Sequence, residues 1–537
     1  MNKISGNIVD VVNKTIYKGE IYFTDKIKKI IKTENVDEQF VLPGLVNSHV
    51  HIESSMLSPM EFSKQVVKHG TVAVITDPHE ITNVLGINGI NYMLDNSKNA
   101  PIKIFYGAPS CVPATTFESS GAELNSKQIE ELFKNNKVHF LSEMMNFPGV
   151  IFDDSEVHKK LKIAKKYKKP IDGHAPGLTG KNLEKYINSG VTTDHECFTL
   201  NEALGKIKLG MKVQIREGSA AKNFEALYSL IDSHPEMVML CTDDSHPDDL
   251  IKGHINLIIK KAFKKKLDYF NIIRTCTYNP INHYNLPVGL IQENDFADFI
   301  VCNNQYYNKI SSVFINGNNV IENNHKVLKL ISPNNFKATT IKSDDIKINK
   351  KGNFCNVISV IDGELITRKE RIKNENVFNI NEFKKGFNKI VVLNRYKKNI
   401  KPIIGIIKNF NIKKGAIAST IAHDSHNIIC IGNKDVEIVK AINLLIATKG
   451  GICASFKKNN LILPLEIGGI MTNKSAVEVA IKYKLINDYA INKLGCTLKS
   501  PFMTMSFMAL LVIPELKIGD KGLFDIRTLE FVNLFEN

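Results

Sequence analysis

Across residues 44–287 the chain repeats one pattern: a short apolar run ends in polar residues, and a helix-length segment follows. The runs fall at 46–51, 71–77, 102–107, 138–143, 170–174, 191–195, 211–216 and 237–243. Parallel strands cannot be joined by a tight turn, and a crossover helix is the usual solution. Eight such units predict a (β/α)8 barrel, a fold of about 250 residues.

The flanks have a different texture. Residues 1–43 and 288–340 read as short strands with turns, and Asn316-Gly317 sits where a hairpin over 312–320 would turn. These stretches are expected to pair into one small β unit built from both sides of the barrel. A lysine-rich polar stretch, 342–352, marks a boundary, and 353–537 is expected to form a further α/β or α+β domain.

Composition narrows the function classes. The formal net charge is +15, but the lysines are scattered and only six of the 70 basic residues are arginine. Without an aromatic-interleaved basic stripe this describes a solvated surface, and no nucleic-acid partner is expected. No apolar run reaches the roughly 18 residues a membrane span needs, so no membrane partner is expected. The first residues, Met1-Asn2-Lys3-Ile4-Ser5-Gly6, lack the apolar core of a signal peptide, and a cytoplasmic location is expected. Nine cysteines without a CxxC pair argue against a disulfide framework and a cysteine zinc site. The absent PCxxC also excludes the zinc nucleobase deaminase fold.

In such barrels chemistry sits at the C-terminal ends of the strands. Those ends carry His49 and His51 on the first, Glu143 on the fourth, His174 on the fifth, His195 on the sixth and Asp243 on the eighth. Residues i and i+2 of a strand share a face, so His49 and His51 can bind one cation together. Four imidazoles and two carboxylates suit zinc, manganese or iron(II), and are enough for two ions with a carboxylate between them.

The run Pro43-Gly44-Leu45-Val46-Asn47-Ser48-His49-Val50-His51 resembles the first-strand signature of the amidohydrolase superfamily. His51-Ile52-Glu53-Ser54-Ser55, Asp77-Pro78-His79-Glu80, Ser142-Glu143-Met144-Met145-Asn146 and Asp172-Gly173-His174-Ala175-Pro176-Gly177 resemble its adenine deaminase family. So do Thr193-Asp194-His195-Glu196, Thr242-Asp243-Asp244, Ala422-His423-Asp424-Ser425-His426-Asn427 and Pro501-Phe502-Met503-Thr504-Met505. The resemblance implies a metal-dependent hydrolase barrel with a flanking β-sandwich and hydrolysis of adenine to hypoxanthine and ammonia. It implies two divalent metal ions, manganese(II) expected with iron(II) or zinc as alternatives, and a small-molecule purine substrate; a homo-oligomer, a dimer, is also expected. In that family a glutamate replaces a carboxylated lysine at the fourth strand, and Glu143 fits. A bridging water made acidic by two metals would supply hydroxide near neutral pH. The alternatives are an amidohydrolase acting on a cyclic amide or N-acetyl group, or a barrel scaffold without catalysis.

Asp243 is the candidate to take the water's proton and pass it on, or else a ligand only. Glu80 is the candidate proton donor to the ring, although Asp77-Pro78-His79-Glu80 also suits a helix N-terminus. Glu53, Ser54 and His79 are expected on the substrate side. Arg216 and Glu217 would hold the purine edge or form an ion pair with each other. His246 lies in a loop over the site or in an ordinary turn with a helix cap. His423, Asp424 and His426 would close over the substrate or form a solvated turn; by themselves they supply too few ligands for a metal.

Overall fold

The structure, a computed structural model, describes residues 1–321, 328, 330–379 and 382–537. Part of the expected flank over 288–340, namely 322–327 and 329, lies outside the described residues. The chain divides into two compact units. The first comprises Met1–Pro78, Met93–Ser110 and Asn125–Leu330; the second comprises His79–Tyr92, Cys111–Leu124 and Ile331–Asn537.

The first unit contains the barrel. Its strands are β1 (Leu45–His51), β2 (Thr71–Thr76), β3 (Lys103–Ala108), β4 (Phe140–Met144), β5 (Ile171–Gly173), β6 (Thr193–Asp194), β7 (Lys212–Arg216) and β8 (Val238–Cys241). They are parallel, as the eight repeats require. The Thr192 N–H donates to Ile171 O at 2.9 Å and joins β5 to β6. At the other seam Asp243 and Asp244, just beyond β8, pair with Val50 and His51 of β1. Every residue of β1 and β2 is buried, as expected for parallel strands covered on both faces.

Both flanks enter one seven-stranded sheet of the same unit. Phe40–Pro43 lies between Asn2–Asp10 and Phe299–Cys302, with Val41 beside Ile8 and Leu42 beside Ile300. Ile8, Ile21, Phe23, Val41, Phe299 and Val301 form its core. The hairpin between Ile310–Ile315 and Asn318–Asn319 turns at Asn316 and Gly317, with φ of +47° and +73°. Two consecutive positive φ values are what a two-residue turn matched to strand twist requires.

The second unit is built on a nine-stranded sheet that is antiparallel except where Phe354–Val360 runs parallel to Ile403–Lys408. The helix Asp435–Thr448 lays Ile438, Ala441, Ile442 and Leu445 on Val391, Ala416, Cys430 and Cys453. The domain is therefore α+β, the second of the two expected forms. Two segments from within the expected 44–287 stretch also pack here. The Asn83 carbonyl accepts from Gly121 N–H at 2.7 Å, and Asn335 Nδ2 donates to Val84 O at 3.3 Å. All nine cysteines are free and buried.

Candidate metal centre

Six ligand-type side chains meet at the strand ends of the first unit. His49 and His51 share a face of β1, and their Nε2 atoms lie 3.2 Å apart. The His49 ring stacks on that of His195, with centroids 4.2 Å apart. Glu143 stands in the middle: Oε1 lies 3.4 Å from His51 Nε2, and Oε2 lies 2.9 Å from His174 Nδ1 and 3.2 Å from His195 Nε2. Its two oxygens thus face two different groups of imidazoles. Asp243 Oδ1 lies 3.3 Å from His51 Nε2 and 3.7 Å from His49 Nε2. Asp243 has φ of +54°, and the short pairing with β1 holds it in that turned-back conformation.

The electrostatics of this cluster favour a cation. Burial works against a charged Glu143, but the hydrogen bonds from His174 and His195 outweigh it and hold its pKa well below the carboxylate range. Burial also opposes a charged His195, yet Glu143 and Glu196 push it up to about 10. His49, where burial and the neighbouring imidazoles act together, lies well below the usual histidine range. Carboxylates that draw protons onto neighbouring imidazoles would equally draw a divalent ion. His49, His195 and Asp243 present ligand atoms within 4.8 Å of one another, as do Glu143, His174 and His195. Nitrogen and oxygen donors with no ammonium among them fit a divalent first-row metal.

The sequence pattern left Glu196 without a role. Its carboxylate pairs with Arg216, Nη2 to Oε2 at 2.8 Å, and Arg216 Nη1 reaches Asp243 Oδ2 at 2.5 Å. The suggested pair between Arg216 and Glu217 does not form. Consecutive residues at a strand end project to opposite sides, and Glu217 pairs instead with Lys261 Nζ at 3.0 Å. The position of Glu196 directly after His195 was the signal available in the sequence. Lys206 left no signal, since Glu202 and Lys206 read as a surface i,i+4 pair. It is fully buried, and Nζ donates to Asp194 Oδ2 and Glu202 Oε1 at 2.9 Å and to Ala175 O at 2.8 Å. Ala175 and Asp194 adjoin His174 and His195, so this ammonium ties together the ends of β5 and β6.

The other expected residues divide between the two units. Ser54 Oγ donates to the Asp244 carboxylate, and Glu53 is buried beside it in sequence. His246 precedes the short helix Pro247–Leu250 without a side-chain cap bond, and its N–H donates to Ser219 Oγ at 2.9 Å. The remaining five, His79, Glu80, His423, Asp424 and His426, belong to the second unit. There the Glu80 carboxylate is held by both other imidazoles, Oε1 lying 2.5 Å from His423 Nδ1 and Oε2 bonded to His426 Nε2. His79 Nε2 is 3.6 Å from Glu80 Oε1 and 3.9 Å from Asp424 Oδ1. All five are buried, which excludes the solvated-turn reading of His423 to His426.

Comparison with known proteins places these features. The amidohydrolase family profile matches residues 40–320, and the adenine deaminase C-terminal domain profile matches 364–530. The chain is 51% identical to an adenine deaminase of Methanosarcina mazei over the whole of both chains. It is 46% identical to one of Borreliella burgdorferi and 45% identical to one of Sulfurovum, each over 99% of both chains.

Proposed function

The chain belongs to the adenine deaminase family of the amidohydrolases, and on that premise we propose how its own side chains divide the work. The enzyme hydrolyses adenine to hypoxanthine and ammonia, and its substrate is a small-molecule purine.

The observation that carries the assignment of roles is the central placing of Glu143, one oxygen toward His51 and the other toward His174 and His195. In this reading two divalent ions are held, manganese(II) first among the candidates. His49, His51, Glu143, His174, His195 and Asp243 would hold them. Such ions lower the pKa of water so that hydroxide is available near neutral pH. Asp243 Oδ1, the oxygen nearest His51, would be the group placed to accept the proton of the attacking water. Its Oδ2 is fixed by Arg216, which leaves Oδ1 as the oxygen that moves a proton on to the purine ring nitrogen and the leaving amine. Glu196 holds Arg216 and thereby the rotamer of Asp243.

The dimer reading rests on the helix Ala476–Asn492, where Val477, Ile481 and Leu485 form an exposed apolar stripe at helical spacing. Ile481→Lys is expected to yield monomers in light scattering.

The test is a substrate panel. Manganese-loaded protein is expected to release ammonia from adenine, with hypoxanthine as the product, and not from adenosine or cytosine. Silence on adenine with turnover of another compound would overturn the assignment.

A further inference from the structure

Arg395 is one of the largest fully buried side chains of the protein, and it lies two residues beyond the strand Phe387–Leu393 of the second unit. Among the described residues none of its three side-chain nitrogens makes a well-formed hydrogen bond, the guanidinium only approaching the Tyr396 side chain, and no carboxylate forms an ion pair with it. The main chain of the same residue is well anchored: its N–H donates to Asn427 Oδ1 at 3.1 Å, and its carbonyl accepts from Lys337 and Ala338 at 2.7 and 3.1 Å. The guanidinium is thus held in place mainly by its backbone and by packing.

The groups around it are engaged elsewhere. Thr420 Oγ1 donates to Gly469 O at 2.5 Å, and the Tyr396 hydroxyl donates to Ser425 O at 2.6 Å. His426 is engaged at both ring nitrogens, Nε2 with the Glu80 carboxylate and Nδ1 accepting from the Ala422 N–H at 3.3 Å. Gly469 has φ of +71°, and a Cβ there would fall 2.1 Å from Arg395 Nη1, so the glycine is what makes room for the guanidinium. The rings of Tyr396 and Phe336 have centroids 5.2 and 5.9 Å from Cζ, near the outer limit of a cation–π contact.

An arginine stays charged at every physiological pH and carries five N–H donors. Buried polar groups are nearly always paired, and a buried cation without an anion is strongly unfavourable. The planar fork matches an oxyanion better than any other partner. We propose that Arg395 is the receptor of a small oxyanion, a phosphate or a carboxylate, bound within the C-terminal domain.

The test uses the full-length, metal-loaded enzyme with inorganic phosphate in one arm and acetate in the other, at constant ionic strength. Equilibrium dialysis is expected to count one more bound anion per chain in the wild type than in Arg395→Met. A bound anion stabilises the folded state, so the same anion should raise the melting temperature of the wild type, with the midpoint of that rise shifted at least 10-fold in the variant. Arg395→Lys, which keeps the charge but loses the fork, should bind at least 3-fold more weakly, and it decides the matter if the methionine variant does not fold. A response to phosphate alone or to acetate alone supports the proposal and identifies the anion class. Equal anion counts and equal melting shifts in wild type and variants overturn it.

Discussion

Arg216 and Glu196 meet fork to fork, Nη1 at 2.5 Å from Oε1 and Nη2 at 2.8 Å from Oε2, with both residues buried. The same Nη1 touches Asp243, so one guanidinium neutralises two carboxylates that would otherwise repel each other at the metal centre. Removing one partner from such a group leaves uncompensated buried charge, at about 3–5 kcal/mol. Arg216→Met is expected to lose stability of that order in urea unfolding and to lower kcat/KM about 100-fold, the low end of a lost proton-transfer step. Arg216→Lys should recover part of the stability but little of the activity, because an ammonium cannot hold two oxygens in a plane. Wild-type behaviour of both variants would remove Arg216 from the account.

Asp243→Asn separates a proton carrier from a simple ligand. An amide oxygen can still bind a metal but cannot accept a proton from water. The expected result is a kcat lower by about 10²–10⁴-fold, the usual contribution of a positioned acid–base group, with the metal content retained. Metal loss in parallel with activity would make Asp243 a ligand only.

Lys206 is predicted to matter more than its distance from the reacting atoms suggests. Lys206→Met leaves Asp194 and Glu202 buried without their cation and frees the Ala175 carbonyl. A stability loss of about 3–5 kcal/mol is expected, together with weaker metal retention during dialysis. A variant as stable as the wild type would show that the three contacts are dispensable.

His254 sets a pH dependence of stability. Buried between Asn47, whose Nδ2 lies 3.0 Å from Nε2, and Thr71, whose Oγ1 lies 2.7 Å from Nδ1, it is pushed down to about 3, chiefly by burial. The unfolded chain, with an ordinary histidine near 6.5, takes up the proton first as pH falls. Stability is therefore full above about pH 6.5 and is lost progressively toward pH 3, by up to about 4–5 kcal/mol in total. His254→Gln should flatten the stability profile between pH 6 and 4 by about one proton. An unchanged slope would contradict this.

The barrel was legible because eight parallel strands buried on both faces leave short apolar runs of constant form. The six ligand candidates were legible for a related reason: strand ends place side chains at one mouth, so residues nearly two hundred positions apart could be read together. Four features were not legible. Glu196 and Lys206 act through long-range pairs that no local spacing encodes, and Arg216 was suggested to pair with its neighbour in sequence although a strand turns consecutive residues apart. The His423 to His426 cluster was judged too small alone, and it is completed by Glu80, whose sequence position gives no sign that the short helix His79–Leu85 packs into the C-terminal unit.

In the proposed site Glu143 lies between two metal positions built from His49, His51, His174, His195 and Asp243. The most direct test is to titrate metal-free protein with manganese(II) and follow adenine deamination. Activity is expected to rise to a plateau at two equivalents per chain, a plateau that Glu143→Gln cannot reach. Full activity at one equivalent, or without added metal, would contradict it.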